Sequence, residues 1–205
     1  GIGGIYRYST NYRHLTGDAI ALALKHGIEL KNTNYVQIHP TTFYTENETD
    51  RSFLISESVR GEGAVLLDKK MERFTDELQP RDVVTREIRK QMKKDETDFV
   101  WLSMKPIDRE QLESHFPNIV KHCREYGYNV PDDCIPVVPA QHYFMGGIKV
   151  NLESKTSMDQ LYAVGETACN GVHGKNRLAS NSLLESLVFA KRAAIQMGEQ
   201  YNTTK

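Results

Sequence analysis

The sequence predicts an α+β fold, because it contains helical stretches, strand-like stretches and a mixed middle. Residues 19–27 are rich in alanine and leucine and end in glycine, which favours a helix. Residues 35–39 are aromatic and β-branched, which favours a strand. The last part of the chain has leucine and valine at helical spacing, which predicts a long helix. With 205 residues and 39% apolar composition, the chain is long enough to bury a core.

The first block of the sequence contains one helix and one strand. Thr16-Gly17-Asp18 leads into the helical stretch, and Gly27 suits the position just after a helix end. The strand at residues 35–39 is predicted to deliver His39 to its end, because Pro40 follows directly.

The middle of the sequence contains a glycine turn followed by a helix. Residues 53–60 and 64–68 have a mixed pattern and flank the turn at residues 61–63. Pro80-Arg81-Asp82 is typical of a helix start, and this helix is predicted to continue through Met92.

The following stretches are shaped by proline and glycine. Residues 109–126 form another helical stretch, which Pro117 interrupts. A proline-rich passage at residues 135–140 leads to His142. Residues 161–166 have the pattern of a short buried strand that ends in a glycine turn.

The terminal helix is predicted to turn one apolar face toward the core. That face carries Leu184, Leu187, Val188 and Ala194. The loop before it, residues 173–181, carries Arg177 and then small polar residues that suit a helix start. Backbone N–H groups at such a start point toward an anionic or electron-rich group.

Composition excludes several classes of partner and site. The 26 basic and 27 acidic residues nearly cancel, so no strong field attracts nucleic acid or an anionic membrane. The three cysteines lack C-x-x-C spacing, which argues against a disulfide framework and a zinc site and favours a reducing cytoplasm. The histidines show no metal-ligand spacing, so no metal is predicted. No apolar run approaches the length of a membrane span.

Six motifs cover nearly the whole chain. They are Gln37-Ile38-His39-Pro40-Thr41, Ser56-Glu57-Ser58-Val59-Arg60-Gly61-Glu62-Gly63-Ala64, Pro80-Arg81-Asp82, His142-Tyr143-Phe144-Met145-Gly146-Gly147, Gly165-Glu166, and the stretch from His173 to Glu185. In order and spacing they resemble the succinate dehydrogenase/fumarate reductase flavoprotein family. Leu178-Ala179-Ser180 and Leu184-Glu185-Ser186 resemble the branch of that family that oxidises L-aspartate.

The resemblance implies an α+β capping domain inserted into an incomplete α/β FAD-binding (Rossmann-like) domain, with FAD as cofactor. Residues 1–33 and 145–205 would be segments of the FAD-binding domain, and residues 34–144 would be the capping domain. The G-x-G-x-x-G fingerprint and the C-terminal helical domain of the family do not occur in this sequence. The sequence therefore resembles a central-to-C-terminal part of such a flavoprotein.

The resemblance also implies a C4 dicarboxylate substrate. Two carboxylates are held best by guanidinium forks and imidazole N–H donors, because charge-assisted hydrogen bonds are the strong ones. The residues that match the substrate-binding positions of the family are His39, Ser56, Glu57, His142 and Arg177.

Proton transfer and cofactor contacts are implied in the same way. The residue matching Arg81 transfers a proton at the carbon next to hydride transfer, and Glu57 with Arg60 would resupply it. The residues that match cofactor contacts are Asp18, Glu166, Ser182 and Leu183.

The implied activity is oxidation of L-aspartate to iminoaspartate, with hydride passing from Cα to flavin N5. Oxygen or fumarate would reoxidise the flavin, and quinolinate synthase would be the pathway partner in the first step of de novo NAD biosynthesis. One alternative is a fumarate reductase or succinate dehydrogenase flavoprotein subunit. A second is a catalytically inactive fragment that binds dicarboxylates weakly.

Each residue also has an ordinary structural interpretation. His39 could simply end a strand, and Glu166 could be a charge at a strand end. Arg81-Asp82 is also typical of a helix-start ion pair of little energetic value. Glu57 and Arg60 have the spacing of a surface pair, and Ser182 suits a helix cap.

Overall fold

A computed structural model describes residues 1–46 and 51–203, with side chains described through residue 200. Helices and strands are mixed, as the sequence predicts. The chain divides into two compact units. The first unit consists of Gly1–Ile5, Arg13–Gln37 and His142–Lys205, and the second of Tyr6–Tyr12 and Ile38–Gln141. The domain boundaries at residues 33/34 and 144/145 stay predictions.

The second unit is built on a four-stranded sheet. Its strands, in spatial order, are β2 (Val36–Phe43), β5 (Ile135–Phe144), β4 (Val100–Ser103) and β3 (Val65–Leu67). β4 pairs antiparallel with both neighbours, with Leu66 opposite Leu102 and Val100 opposite Val137.

Among its described residues, the second unit has four helices. They are α2 (Glu57–Gly61), α3 (Arg81–Asp95), α4 (Arg109–His115) and α5 (Pro117–Glu125). The helix predicted from Pro80-Arg81-Asp82 is confirmed and runs three residues beyond Met92. The break predicted at Pro117 is also confirmed, because proline is tolerated at the first position of a new helix.

A continuous core fills the second unit. Leu66, Leu102 and Ile135 from the strands are 0% exposed. Ile88 of α3 and Leu112 of α4 pack in the same apolar cluster and are also fully buried. The unit therefore encloses its own apolar interior.

The strand prediction for residues 35–39 was too short, and it misplaced His39. β2 continues through Pro40 to Phe43, so His39 lies within the strand. Proline is tolerated there because β2 is the first strand of the sheet, at its edge. The proline-rich passage also forms a strand, β5, and the carbonyl of Pro136 still accepts from the Tyr44 N–H at 2.9 Å.

The first unit contains a small three-stranded sheet. Its strands, in spatial order, are β1 (Leu30–Lys31), β6 (Gly147–Lys149) and β7 (Ala168–Cys169). β1 pairs antiparallel with β6, and β6 pairs parallel with β7. The helices are α1 (Asp18–Lys25) and α6 (Asn181–Thr203), with 3₁₀ turns at Gly3–Ile5 and Gly165–Thr167.

The helix prediction at residues 19–27 is confirmed, whereas the strand predicted at residues 161–166 is wrong. Gly27 has a left-handed φ of 68° just after α1, as its predicted role requires. In the other stretch, Ala163 N–H donates to the carbonyl of Ser154, and Gly165 turns the chain with a φ of 71°. Glu166 therefore lies in the 3₁₀ turn, not at a strand end.

The terminal helix exists, but the prediction of its core face was wrong. Leu184, Leu187 and Val188 are 62%, 63% and 43% exposed, and Ala194 is exposed as well. The covered face carries Glu185 and Phe189 instead, at 5% and 6% exposure. Two polar contacts hold that face: Glu185 accepts from Asn170, and Ser154 donates to the Phe189 carbonyl.

The three cysteines are free thiols, and Cys123 and Cys169 are buried. Burial raises the pKa of the Cys123 thiol to about 12. Among the described residues, no group of three or more histidine, cysteine and acidic side chains is arranged to hold a metal ion. Nor does any described helix combine the length and apolar character that a membrane crossing requires.

His122 of α5 stacks flat on Phe53, with ring centroids 3.7 Å apart and planes 8° from parallel. Burial lowers the pKa of His122, and Glu125 opposes that shift. The unfolded chain therefore binds a proton at this position at higher pH than the folded chain. Neutral His122 therefore favours the folded chain. This stabilisation is fully present above the pKa of the histidine in the unfolded chain, and it is lost as the pH falls toward the lower pKa of His122 in the folded chain.

We expect unfolding to need less urea at pH 5.5 than at pH 7.5. The difference between the two urea midpoints should be smaller in the His122→Phe variant. Phenylalanine keeps a flat ring against Phe53 but cannot be protonated. Circular dichroism in urea at the two pH values measures both midpoints. An equal fall in the two proteins would contradict this role for His122.

Candidate functional site

Two helix starts in the second unit bring an acid and a base together. Ser56 caps α2, and its Oγ accepts from the Ser58 N–H at 3.2 Å. Glu57 is therefore the first residue of α2, and Arg81 is the first residue of α3. Both side chains therefore leave the backbone at the first position of a helix.

Arg81 holds Glu57 through two hydrogen bonds to one carboxylate oxygen. Its Nε and NH2 donate to Glu57 Oε2 at 2.9 and 2.6 Å. The Arg81 side chain is 9% exposed, whereas the Glu57 side chain is 42% exposed. An ion pair with one partner in water adds little stability. Its effect is to fix the guanidinium in one orientation.

Arg60 is the most unusual charged residue of the second unit. It is 2% exposed, and its NH1 donates to the Glu77 carbonyl at 2.6 Å. Its Nε and NH2 are buried and have no hydrogen-bond partner among the described residues. Burial lowers the pKa of Arg60; Glu57 raises it, Arg81 lowers it further and Glu77 raises it. A buried guanidinium with unpaired donors is costly, which is typical of a site with a task other than stability.

Glu77 supports this cluster, and the sequence analysis missed it. It is 3% exposed and accepts from the Leu66 N–H at 2.8 Å. Arg73 donates to both of its carboxylate oxygens, at 3.2 and 2.6 Å. Glu77 therefore holds the turn whose carbonyl binds Arg60. Glu77 lies outside all six sequence motifs, so its supporting role could not be predicted from the sequence.

His39 is buried within β2 of the second unit, at 1% exposure. Its Nδ1 lies 3.1 Å from the carbonyl oxygen of Thr41, and the Thr41 N–H approaches the same atom at 3.2 Å. Which of the two contacts is the hydrogen bond depends on the tautomer of the ring. The backbone of Thr41 thus fixes the orientation of the imidazole.

In the first unit, Arg177 is held from several sides. Its guanidinium lies 4.5 Å from the ring centroid of Tyr143, a cation–π distance. NH1 donates to the Leu178 carbonyl at 3.3 Å and to Ser182 Oγ at 3.5 Å. The Gln37 amide donates to the Arg177 carbonyl at 2.7 Å and so fixes the loop. Arg177 is 6% exposed.

The Tyr143 ring contacts Arg177 and also His173, which pairs with Glu185. This ring meets His173 edge-on at 5.4 Å, and His173 Nε2 lies 3.9 Å from Glu185 Oε2. Burial raises the pKa of Tyr143, and Glu166 and Glu185 raise it further, so the phenol stays neutral. Burial also lowers the pKa of His173, against the effect of Glu185. Tyr143 belongs to one of the six sequence motifs, but its contact with Arg177 could not be predicted from the sequence.

A second group of candidate residues in the first unit lies at the start of α6. Ser182 is half-buried in the first turn, and Leu183 is 69% exposed. The 3₁₀ turn that contains Glu166 lies next to the first turns of α6. A Cβ built on Gly165 of that turn would lie 3.5 Å from Ser186 Oγ of the helix. Glu166 accepts from the Phe144 N–H at 3.1 Å. Burial raises the pKa of Glu166.

The other two predicted residues of the first unit have simpler settings. Asp18 begins α1, is exposed, and accepts from Thr16 Oγ1 at 2.7 Å. His142 is half-buried in the last part of β5. The structure thus brings together Glu57, Arg60 and Arg81 in the second unit, and Arg177 with Ser182 in the first.

Comparisons with known proteins place the chain among flavoproteins. The profile of a family described as FAD binding domain matches residues 1–183. The chain is 54% identical over 197 residues to an L-aspartate oxidase of Clostridium perfringens, covering 96% of this chain and 45% of that protein. It is 55% identical over 194 residues to an L-aspartate oxidase of Clostridium acetobutylicum, covering 95% of this chain and 45% of that protein.

The fold is similar to that of a solved fumarate reductase. Superposition on the FrdA chain of an Escherichia coli quinol fumarate reductase gives a TM-score of 0.88 at 33% identity. The match covers 100% of this chain and 38% of that chain. The chain thus spans less than half the length of the curated relatives it matches.

Proposed function

The chain belongs to the FAD-binding domain family, and from this premise we infer that it is part of an FAD-dependent enzyme that oxidises L-aspartate to iminoaspartate. Identity of 54–55% to two proteins named L-aspartate oxidase supports the choice of substrate. The observation that carries the reaction type is the Arg81–Glu57 pair beside buried Arg60. Such an array can hold and move a proton.

The donor set at the start of α6 fits the flavin end of FAD. The first N–H groups of a helix have no partner within the helix, and its dipole favours negative charge there. Ser182 and Leu183 would direct these donors at the cofactor. Bound FAD supplies the hydride acceptor of the reaction.

Glu166 fits the sugar-alcohol chain of the same cofactor. Burial raises the pKa of its carboxyl, and its oxygens can accept hydrogen bonds from hydroxyl groups of that chain. A Cβ on Gly1 would come within 2.9 Å of Glu166 Oε1, so glycine leaves room at that carboxyl. Asp18 would contact the cofactor from the start of α1.

The substrate carboxylates would be bound by the two histidines and by Arg177. Arg177 is suited to this because a planar guanidinium can bind a carboxylate through two hydrogen bonds. Tyr143 keeps that plane in place through its ring face. In the second unit, His39, with its orientation fixed by Thr41, would donate from an imidazole nitrogen, and Ser56 and Glu57 are the other substrate-binding candidates. In the first unit, His142 would also donate from an imidazole nitrogen.

Proton transfer is assigned to Arg81. Arginine is a poor acid or base on its own, because its guanidinium stays protonated in proteins. Glu57 can take a proton from Arg81, because it accepts from the guanidinium at 2.6 Å, and burial lowers the pKa of Arg60, which interacts with both residues. In the oxidation of L-aspartate, Arg81 would pass a proton to Glu57, whose side chain is 42% exposed to water, and then take up the proton that the substrate releases, with Arg60 supporting the exchange.

The domain organisation belongs to the same proposal. Residues 34–144 would form the capping domain, and residues 1–33 and 145–205 would be segments of the FAD-binding domain. The product imine is reactive, so an enzyme of the quinolinate synthase type would consume it, as in the first step of NAD biosynthesis.

The experiment that tests this function uses a hybrid enzyme. This chain replaces the matched stretch of the Clostridium perfringens protein, 197 residues at 54% identity, to give what we call the oxidase hybrid. We expect the hybrid to bind FAD and to turn over L-aspartate with oxygen or fumarate at a kcat within about tenfold of the parent, since every proposed side chain is supplied. A hybrid that binds FAD but leaves L-aspartate unchanged would contradict the proposal.

The fumarate reductase or succinate dehydrogenase reaction is the second candidate, favoured by the TM-score of 0.88 to the FrdA chain. It shares the dicarboxylate and the FAD but differs in the carbon that is oxidised. Succinate oxidation by the hybrid with an artificial acceptor, at a rate above that with L-aspartate, would favour this candidate. An inactive fragment that only binds dicarboxylates would give neither activity.

A further inference from the structure

The carboxylate of Glu77 is buried and fixed by hydrogen bonds. Its Oε1 accepts from the Leu66 N–H at 2.8 Å and from Arg73 Nε at 3.2 Å. Its Oε2 accepts from Arg73 NH2 at 2.6 Å. The Glu77 side chain is 3% exposed, whereas that of Arg73 is 56% exposed. A buried carboxylate is costly unless it is paired and hydrogen-bonded, and Glu77 meets both conditions.

The donors to this carboxylate are anchored at the edge strand β3. Leu66 is the middle residue of β3 and lies opposite Leu102 of β4. Arg73 lies opposite Leu67 in an isolated antiparallel bridge. β3 is the last strand of its sheet, so N–H groups on its outer side remain available to a side chain. The sheet therefore sets the position of Glu77.

The backbone of Glu77 in turn orients Arg60. Arg60 lies in α2 and is 2% exposed, and its NH1 donates to the Glu77 carbonyl at 2.6 Å. Nε and NH2 of the same guanidinium are buried and have no hydrogen-bond partner in the described part of the chain. The contact with Glu77 therefore decides which way this guanidinium points, and a shift of residue 77 would move it.

The charge of Glu77 also acts on Arg60. Burial lowers the pKa of Arg60, and the positive charge of Arg81 lowers it further. Glu57 and, to a smaller extent, Glu77 raise it, because a nearby carboxylate favours the protonated guanidinium. Glu77 thus helps to keep Arg60 charged in a buried place, in addition to orienting it.

We propose that Glu77 is a positioning residue for proton transfer. It holds the guanidinium of Arg60 in the orientation that supports the exchange of a proton between Arg81 and Glu57. Glu77 touches neither substrate nor flavin in this role, because it acts through Arg60. The part in proton transfer rests on the proposed function, whereas the placement of Arg60 by Glu77 does not.

Glu77→Gln in the oxidase hybrid tests the part in proton transfer. Glutamine has the size of glutamate and can accept from the Leu66 N–H, but it is uncharged and has a single acceptor oxygen. We expect kcat for L-aspartate to fall by about 10- to 10²-fold, the scale of a small displacement at a reacting site, with KM within about twofold. Glu77→Asp keeps the charge on a shorter side chain and is the second variant, with a smaller fall in kcat expected.

Asp76→Asn is the matched control. Asp76 precedes Glu77, is exposed, and accepts from the Leu78 N–H through Oδ1 at 3.0 Å. Asparagine keeps an acceptor for that N–H, so the variant removes one negative charge beside Glu77 without releasing the turn. We expect its kcat and KM to lie within about twofold of those of the unmodified hybrid. A Glu77→Gln variant as active as Asp76→Asn would overturn the proposal.

A double-mutant cycle with Arg60→Leu separates positioning from general support of the fold. Because Glu77 acts through Arg60, Glu77→Gln should lower kcat by less than about twofold in a hybrid that already carries Arg60→Leu. An equal loss in both backgrounds would show that Glu77 acts on the fold or on Arg81 instead, which would also overturn the proposal.

Hydrogen exchange at arginine side chains tests the placement of Arg60 in the 205-residue chain, without any measurement of activity. The chain is labelled with ¹⁵N-arginine, and Arg60→Lys identifies the side-chain N–H signals of Arg60 by their loss. Buried N–H groups of a stably folded region exchange slowly with water. We expect these signals to exchange at least about tenfold faster in Glu77→Gln than in wild type and Asp76→Asn. Equal exchange rates in all three proteins would overturn the proposal.

Failure of the proposed function would look different from failure of this proposal. A hybrid that oxidises succinate but not L-aspartate would contradict the proposed substrate, and Glu77→Gln and its control are then compared with succinate. A hybrid that oxidises neither would contradict the proposed function and, with it, the part of Glu77 in proton transfer. The exchange rates decide in every case whether Glu77 places Arg60.

Discussion

Arg81→Leu in the oxidase hybrid is expected to lower kcat for L-aspartate by about 10²- to 10⁴-fold, the usual contribution of a positioned acid or base. The substitution removes both N–H donors that hold Glu57 at 2.9 and 2.6 Å. Because the Glu57 side chain is 42% exposed, it keeps access to water, and the loss of its partner leaves no buried unpaired carboxylate. The effect should therefore fall on catalysis more than on stability.

Arg86→Leu is the matched control for this variant. Arg86 lies on the same helix, α3, and its 62% exposed side chain makes only a loose pair with Asp82 at 3.7 Å. We expect it to leave kcat within about twofold, as surface pairs of this kind contribute little. Steady-state rates at saturating L-aspartate, with FAD content measured for each protein, decide the comparison. An Arg81→Leu variant as active as Arg86→Leu would remove Arg81 from the proton path.

Arg177→Lys is expected to raise KM for L-aspartate by about 10- to 100-fold while changing kcat less. Hydrogen bonds to charged groups contribute roughly 1.5–3 kcal/mol, and lysine cannot bind a carboxylate in the bidentate way that a guanidinium can. Lysine also loses the flat contact with Tyr143, which lies 4.5 Å from the guanidinium carbon. The charge is kept, so the variant separates geometry from electrostatics.

Arg192→Lys serves as its control, since Arg192 also lies over an aromatic ring, that of Phe189, at 5.8 Å. It is 42% exposed and pairs with Glu153 on the surface. We expect its KM to match that of the unmodified hybrid. If Arg177→Lys lowered kcat with an unchanged KM, the assignment of Arg177 to a substrate carboxylate would be wrong.

The helices were predictable because their ends carry local signals. Gly27 adopts the left-handed φ that its position after α1 requires, and Pro117 begins a new helix as its missing N–H allows. Pro80-Arg81-Asp82 marks the start of α3 for the same reason. Such signals depend on only a few neighbouring residues, so they can be recognised before any tertiary structure is known.

The strands and the orientation of α6 depend on distant residues and were less predictable. Pro40 did not end β2, because an edge strand tolerates a missing N–H. In α6 both faces carry apolar residues, so periodicity alone could not decide which of them packs. The choice is made by polar contacts such as that of Glu185 with Asn170, fifteen positions away.

In the candidate site, too, features set by neighbouring residues were predictable and features set by the tertiary fold were not. Glu57 and Arg60 have the spacing of an ordinary surface pair, yet Arg60 is 2% exposed. Its burial comes from the tertiary fold, including the turn held by Glu77, which no motif indicated. The residue types at the site were thus available from the sequence, whereas their burial and their supporting contacts were not.

Anaerobic mixing of the oxidase hybrid with L-aspartate tests the central claim most directly. Loss of the visible absorbance of the oxidised flavin reports hydride transfer in a single turnover, without any contribution from reoxidation. We expect L-aspartate to bleach the flavin faster than succinate does, and Arg81→Leu to slow that bleaching by about 10² or more. A flavin that stays oxidised with L-aspartate while succinate reduces it would contradict the account.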